Sequence, residues 1–309
     1  DLEHFEEAEQ LLLDAGQIYE QALGRQNHNT LRAVNNIANL YMNFEHYDKA
    51  LIYFTKAMED CSGVETSLPL NTQWVEQVSS VKWTSYEHVY QMTMALKLVY
   101  EILEAQKTAD RVPQQNIIAE AALAIIKAGR DDLVQSSDKL RLLSLSNDWT
   151  LKSLNILDNK TQKELAFAKS EQNKSVLLLE FANTESAYRL GNFPDSLIRA
   201  EKELLSRQDQ LQAKLIEKRS EAEKDSLRGE LNTVNQKIQA FTDKVKKEFP
   251  KFAKLKYQQS SISVNDIQEH LDERTALIEY AIGDSMIYIF CLTKQNISWV
   301  KKPLEYLEL

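Results

Sequence analysis

A chain of 309 residues, 43% hydrophobic and 27% charged, has room for about two domains and a substantial core. Its formal charge of −9 argues against nucleic acid as a direct partner, since nonspecific binding needs clustered Lys and Arg to displace counterions. No uninterrupted apolar run approaches the roughly 18 residues of a membrane-spanning helix.

Only 7 Gly and 5 Pro favour long helices with short connections. Cys61 and Cys291 are too far apart in sequence to suggest a disulfide framework or a metal site, and no cofactor is implied. They fit a reducing compartment, so a cytoplasmic location is expected. The chain starts at Asp1 rather than Met, so the native N-terminus is expected to be absent and the lack of a signal peptide carries no information.

The first feature along the chain is a repeat. Phe5, Ala8, Leu12 and Ala15 recur as Tyr47, Ala50, Phe54 and Ala57, each 42 residues later. Between them Val34, Ile37, Ala38 and Tyr41 form an i, i+3, i+4, i+7 stripe, the mark of an amphipathic helix. Small residues at Ala38, Ala50 and Ala57 let paired helices approach closely, while Tyr41 and Phe54 fill the space between them.

Ile37-Ala38, Tyr41, Tyr47, Ala50, Phe54 and Ala57 stand at the spacing of the tetratricopeptide (TPR) repeat, which residues 1–62 resemble. Leu23-Gly24 followed by His28 and Thr30 is similar to the longer variant in kinesin light chains. Two family features are missing: Val34 replaces the usual aromatic, and no proline closes the repeat near Ser62. Asn35, Asn39 and Asn43, with Arg32 ahead of them, fall at i, i+4, i+8 away from the apolar stripe. Asn costs about 0.5 kcal/mol per helical position relative to Ala, so three need a reason. The resemblance implies that this face lines a groove whose Asn side chains bind an extended protein or peptide segment. An ordinary solvated face is the alternative.

From Asn71 to Gly191 the pattern stays helical, with blocks at about Val81–Gln106, Gln114–Lys127, Ser137–Asp158 and Thr161–Leu190. Pro113 can open a helix, and Gly129 and Gly191 can close one. Ala119, Ala122, Leu123, Ile125 and Ile126 mark a buried face. Trp74, Trp83 and Trp149 read as packing residues. His88 has no second His or Cys at ligand spacing, so it reads as surface or core filler.

Residues 192–249 are highly charged, yet Leu227, Leu231, Val234, Ile238, Phe241 and Val245 keep a 4-3-4-3-4 spacing, a heptad seam. Leu197, Leu204, Leu211 and Leu215 supply a matching seam upstream. The two predict an antiparallel helical hairpin turning near Ser220–Ser226, with Asp225 or Ser226 as cap. Its few apolar residues leave it leaning on a neighbour, or on a second copy of the chain as a homo-oligomer.

Beyond it, Ser263 can cap a short helix through Leu271. The segment Thr275–Val300 then turns to β-branched and aromatic residues. Gly283-Asp284-Ser285 and Lys294-Gln295-Asn296 interrupt it, giving three short strands joined by tight turns. Glu279 reads as an edge-strand or outward-facing carboxylate, and Cys291 as a buried core thiol.

The ordered series PDSL at Pro194–Leu197, FPKFAKLKY at Phe249–Tyr257, ISVNDIQEHL at Ile262–Leu271, then ALIEYAIGDSMIYIF and LTK, resembles bacterial CHAT proteins. The block LAFAKSEQNKSVLLLEF, Leu165–Phe181, is similar to the last repeat helices of that group. In these proteins TPR repeats precede a caspase-like domain. The resemblance implies a TPR scaffold controlling a cysteine peptidase with a His–Cys dyad. The family's His-Gly and Ser-Ala-Cys-like segments have no counterpart here: His270 precedes the first strand and Cys291 lies within the second, so no residue is assigned a catalytic role.

The expected architecture is therefore mainly α: TPR-like repeats over 1–64, irregular helical pairs over 65–191, a coiled-coil hairpin over 192–256, and over 257–309 a short β-meander opening an α/β caspase-like domain. The expected function is protein interaction that regulates a peptidase lying outside this chain. A non-enzymatic adaptor with a degenerate or absent peptidase domain is the alternative.

Overall fold

Helix-forming residues broken by a few strong caps give a chain that is mainly helical and ends in a small antiparallel sheet. The structure is a computed structural model describing residues 2–83, 85–107, 110–133, 136–171, 193–217, 221–252 and 263–304. Its helices are α1 Leu2–Leu23, α2 His28–Asn43, α3 Tyr47–Ser62, α4 Thr72–Ser79, α5 Tyr86–Gln106, α6 Arg111–Asp132, α7 Ser136–Ile156, α8 Lys163–Glu171, α9 Asp195–Glu217, α10 Glu221–Glu248 and α11 Val264–His270. The strands are β1 Ala276–Ile282, β2 Met286–Thr293 and β3 Ile297–Pro303. Contacts divide the chain into two units, Asp1–Asn173 with Ile262–Leu309, and Lys174–Ser261.

The helix starts follow capping chemistry. Asn27, Asn71 and Ser85 accept backbone N–H bonds from the first turns of α2, α4 and α5. Ser263 and Asp266 bond reciprocally at the start of α11, a capping box. Gly63, at φ 71°, ends α3 in the left-handed conformation that glycine adopts without steric cost.

In the first unit α1 packs on α2, α2 on α3, α3 on α5, α5 on α6, α6 on α7 and α7 on α8, while α2 also meets α5 and α5 meets α7. One core runs through these helices. It contains the repeat residues Phe5, Ile37, Ala38, Tyr41, Ala50, Phe54 and Ala57 together with Trp74, Trp83 and Trp149. Trp149 meets Tyr100 edge-on at 6.1 Å. Gly129 does not close α6, which continues to Asp132. A Cβ at this position would lie 2.6 Å from Val89 Cγ2, so the glycine lets α6 approach α5 closely. The 165–181 block is helical from its start to Glu171; its remainder, and Gly191, lie outside the described residues.

The sheet is a β1-β2-β3 meander. Gly283 N–H donates to Met286 O at 2.8 Å in the first turn, and Thr293 N–H to Asn296 O at 2.8 Å in the second. The period of two along each strand turns Tyr288, Phe290, Leu292, Ile297 and Trp299 toward Leu154 of α7, Leu157 just beyond its end, and Ala166 and Phe167 of α8. Phe290 stacks on Trp299 at 5.5 Å and meets Phe167 edge-on at 5.8 Å. Tyr288 OH donates to Leu151 O at 3.3 Å, and Lys301 Nζ to Asn155 O at 2.6 Å, where it satisfies the carbonyl end of α7. Because Phe290 and Leu292 take the inner face, Cys291 between them points to the other one. There it is half-buried, paired with Ile278 and Ser298, rather than a core thiol.

In the second unit α9 and α10 pack along the heptad seam, with Leu211, Leu231, Val234, Ile238 and Val245 buried. Gln208 Nε2 donates to Asn235 Oδ1 at 2.8 Å and Phe193 stacks on Phe252 at 3.8 Å, pairings that run antiparallel. The seam is not purely apolar, since Glu201 and Gln208 are buried within it.

Candidate peptide-binding surface

Whether α2 presents an asparagine face depends on which asparagines reach solvent. Asn35 does not. It is 5% exposed and turned toward α5, where its Nδ2 donates to Gln91 O at 3.1 Å and to Gln91 Oε1 at 2.9 Å. A neutral amide in a helix–helix contact needs such a partner, because an unmade buried hydrogen bond costs about 1–3 kcal/mol. Arg32 and Asn43 are exposed and Asn39 is half-exposed. Asn36, absent from the sequence reading, is exposed as well. The outward row on α2 therefore runs through Asn29, Arg32, Asn36, Asn39 and Asn43, at i, i+3, i+7, i+10 and i+14. Arg32 Nη2 donates to Asn29 Oδ1 at 3.1 Å, which fixes the guanidinium along the helix. The signal for Asn36 was available in the sequence: with Leu31, Val34, Ile37, Ala38 and Tyr41 inward, the opposite arc falls on 32, 36, 39 and 43.

Chemically this row offers amide donors and acceptors and one guanidinium. Each carboxamide can give one bond and take one, the combination that a strand-like backbone presents in return. On the neighbouring helices, Tyr86 stacks on Tyr90 at 5.8 Å, and the Arg141 guanidinium lies 3.6 Å over the Tyr86 ring. Arg141 also reaches Glu87 at 3.8 Å, an exposed pair that links α5 to α7.

The other chemistry-bearing residues are engaged in structure. His88 Nδ1 lies 2.6 Å from Ser85 Oγ and its Nε2 lies 2.7 Å from Gln26 O, so the ring ties the start of α5 to the α1–α2 loop. Cys61 Sγ donates to His88 O at 3.3 Å, and burial pushes its thiol up to about 12, opposite to what a nucleophilic cysteine requires. Glu279 is on edge strand β1 but on the inner face, where it accepts from Ser170 Oγ at 3.2 Å. His270 Nδ1 bonds within its own short helix, to Asp266 O at 2.7 Å. Among the described residues no group of His, Cys, Asp or Glu is arranged to hold a metal ion, and no helix is long and apolar enough to cross a membrane.

No protein-family model, curated protein or solved structure matches this chain.

Proposed function

We propose that this chain is a protein-interaction scaffold of TPR-like helix pairs, and that the outward row of α2 binds an extended peptide. The observation carrying this reading is the outward run Asn36, Asn39 and Asn43 behind Arg32: three uncharged hydrogen-bonding groups on a helix face that charged residues would solvate more cheaply. Helix order supports it, since α1, α2 and α3 pack in sequence, as do α5, α6, α7 and α8, while α2 also meets α5 and α5 meets α7, as in a stack of hairpins.

The resemblance to TPR–CHAT proteins extends the proposal. The three-stranded sheet opens a caspase-like domain, and peptide capture by the helices governs a cysteine peptidase supplied by residues outside this chain. The sheet rests on the far end of α7, the helix that also joins the main core through Leu142 and Trp149, which gives capture a packed route to the strands.

Selection from a library of unstructured peptides, followed by Asn39→Ala with Asn43→Ala, tests the surface. Loss of two amide contacts predicts at least tenfold weaker binding with an unchanged melting temperature. Equal binding by the double variant refutes the assignment. Labelling of the native protein by a thiol-directed peptidase probe separates a regulated peptidase from a pure adaptor.

A further inference from the structure

We propose that Tyr90 and Met94 of α5 form a specificity subsite for the peptide captured on α2, taking one large uncharged apolar side chain; this rests on the peptide-binding role given to α2 above. The two helices start at the same end, since His88 near the start of α5 lies 2.7 Å from Gln26 O, just ahead of α2. Asn35, bonded to Gln91, marks the line along which they meet. With residues about 100° apart around a helix, Asn39, Arg32, Asn43 and Asn36 lie roughly 40–100° to one side of Asn35. Glu87, Met94, Glu101, Tyr90 and Lys97 lie roughly 40–120° to the opposite side of Gln91. On parallel helices that face each other, these opposite rotations bring both rows to one surface.

α7 borders the other side of the α5 row. Arg141 reaches Glu87 at 3.8 Å, Asp148 reaches Lys97 at 3.7 Å, and Lys152 reaches Glu101 at 3.9 Å. The pairs follow the same order along both helices, so α7 runs parallel to α5. The three rows make a trough with α5 as its floor, the amides of α2 as one wall and α7 as the other. Other helices pack on the three from elsewhere: α1 and α3 on α2, α3 and α6 on α5, α6 and α8 on α7.

The floor decides what side chain is accepted. Glu87 and Lys97 are each met by an opposite charge on α7. Between them stand Tyr90 and Met94, one turn apart, uncharged and half-buried. Tyr90 is held by its stacking on Tyr86 at 5.8 Å, a fixed wall, while the Met94 thioether can adapt its shape. A charged ligand side chain set here loses water and meets only charges that are already paired. A Leu, Met or Phe side chain gains apolar contact, with its backbone on the amides of α2. Burial of such a side chain corresponds to about tenfold or more in affinity.

The probe is a set of short blocked peptides of Ser, Thr and Gln in which a single central position is randomised. Affinity selection on the full chain should enrich Leu, Met and Phe at that position by about tenfold over Asp, Glu and Lys. Met94→Glu should remove that preference and favour Lys instead. Asn39→Ala with Asn43→Ala should lower capture of every peptide and leave the ranking unchanged. Circular dichroism checks that Met94→Glu, at a half-exposed position, keeps its helix content. A flat ranking on the parent chain overturns the subsite while peptide binding stands, and so does a ranking that Met94→Glu leaves unaltered. No capture by the parent chain removes peptide binding and the subsite together.

Discussion

Gly129 shows how one residue can carry a packing constraint that its type does not announce. Its missing Cβ leaves room for Val89 Cγ2, which would sit 2.6 Å away, and a β-branched neighbour has little rotamer freedom to retreat. Gly129→Ala should cost about 1–3 kcal/mol of overpacking, offset in part by about 1 kcal/mol of helix propensity. A melting temperature lowered by roughly 2–4 °C is expected, and an unchanged or raised value would show that α5 and α6 are loosely packed here. Two buried acids of high pKa predict a second outcome. Burial pushes the Cys61 thiol up to about 12 from 9.0, and the Tyr288 phenol up to about 12 from 10.0. The folded chain holds both protons more tightly than the unfolded one, so their stabilisation is complete below pH 9 and is lost as pH rises toward 12. Denaturant midpoints recorded from pH 8 to 11 should fall, and less steeply in Tyr288→Phe.

At the scale of elements, the sheet depends on what it rests on. A sheet of only three strands gains much of its stability from what it packs on, and here the face carrying Phe290 and Trp299 is closed by α7 and α8. Phe290→Ala removes a ring at 0% exposure that touches both Trp299 and Phe167, with an expected cost of about 3–5 kcal/mol. Amide exchange should accelerate across β1–β3 before it does in α2 and α3, and uniform acceleration would argue against a separate sheet core. In the hairpin, Ile238 and Phe241 belong to the seam between α9 and α10, so replacing either by Asp attacks the hairpin's own fold. Self-association through this element has to use residues outside the seam, such as Leu205, which is 37% exposed.

At the scale of the whole molecule, the division into two units gives each its own spectroscopic report. The tryptophans are Trp74, Trp83, Trp149 and Trp299, all in the unit formed by Asp1–Asn173 and Ile262–Leu309, while Lys174–Ser261 has none. Ile238→Asp should therefore lower the helical circular dichroism signal and leave tryptophan emission unchanged. A coupled shift of the emission maximum would mean that the units fold as one. Among the described residues the helical and strand segments were legible because they rest on local chemistry. Ser263 caps, Gly283 and Asn296 turn, and the heptad from Leu227 to Val245 selects a helix pair wherever it lies. Three features were decided only by tertiary structure: the inward turn of Asn35 toward Gln91, the use of Gly129 for close approach, and the docking of the strands on α7 and α8. The physical reason is the same in each. Periodicity in a sequence says which residues share a face, but what that face meets is set by residues tens of positions away, and burial becomes favourable only once those partners are in place.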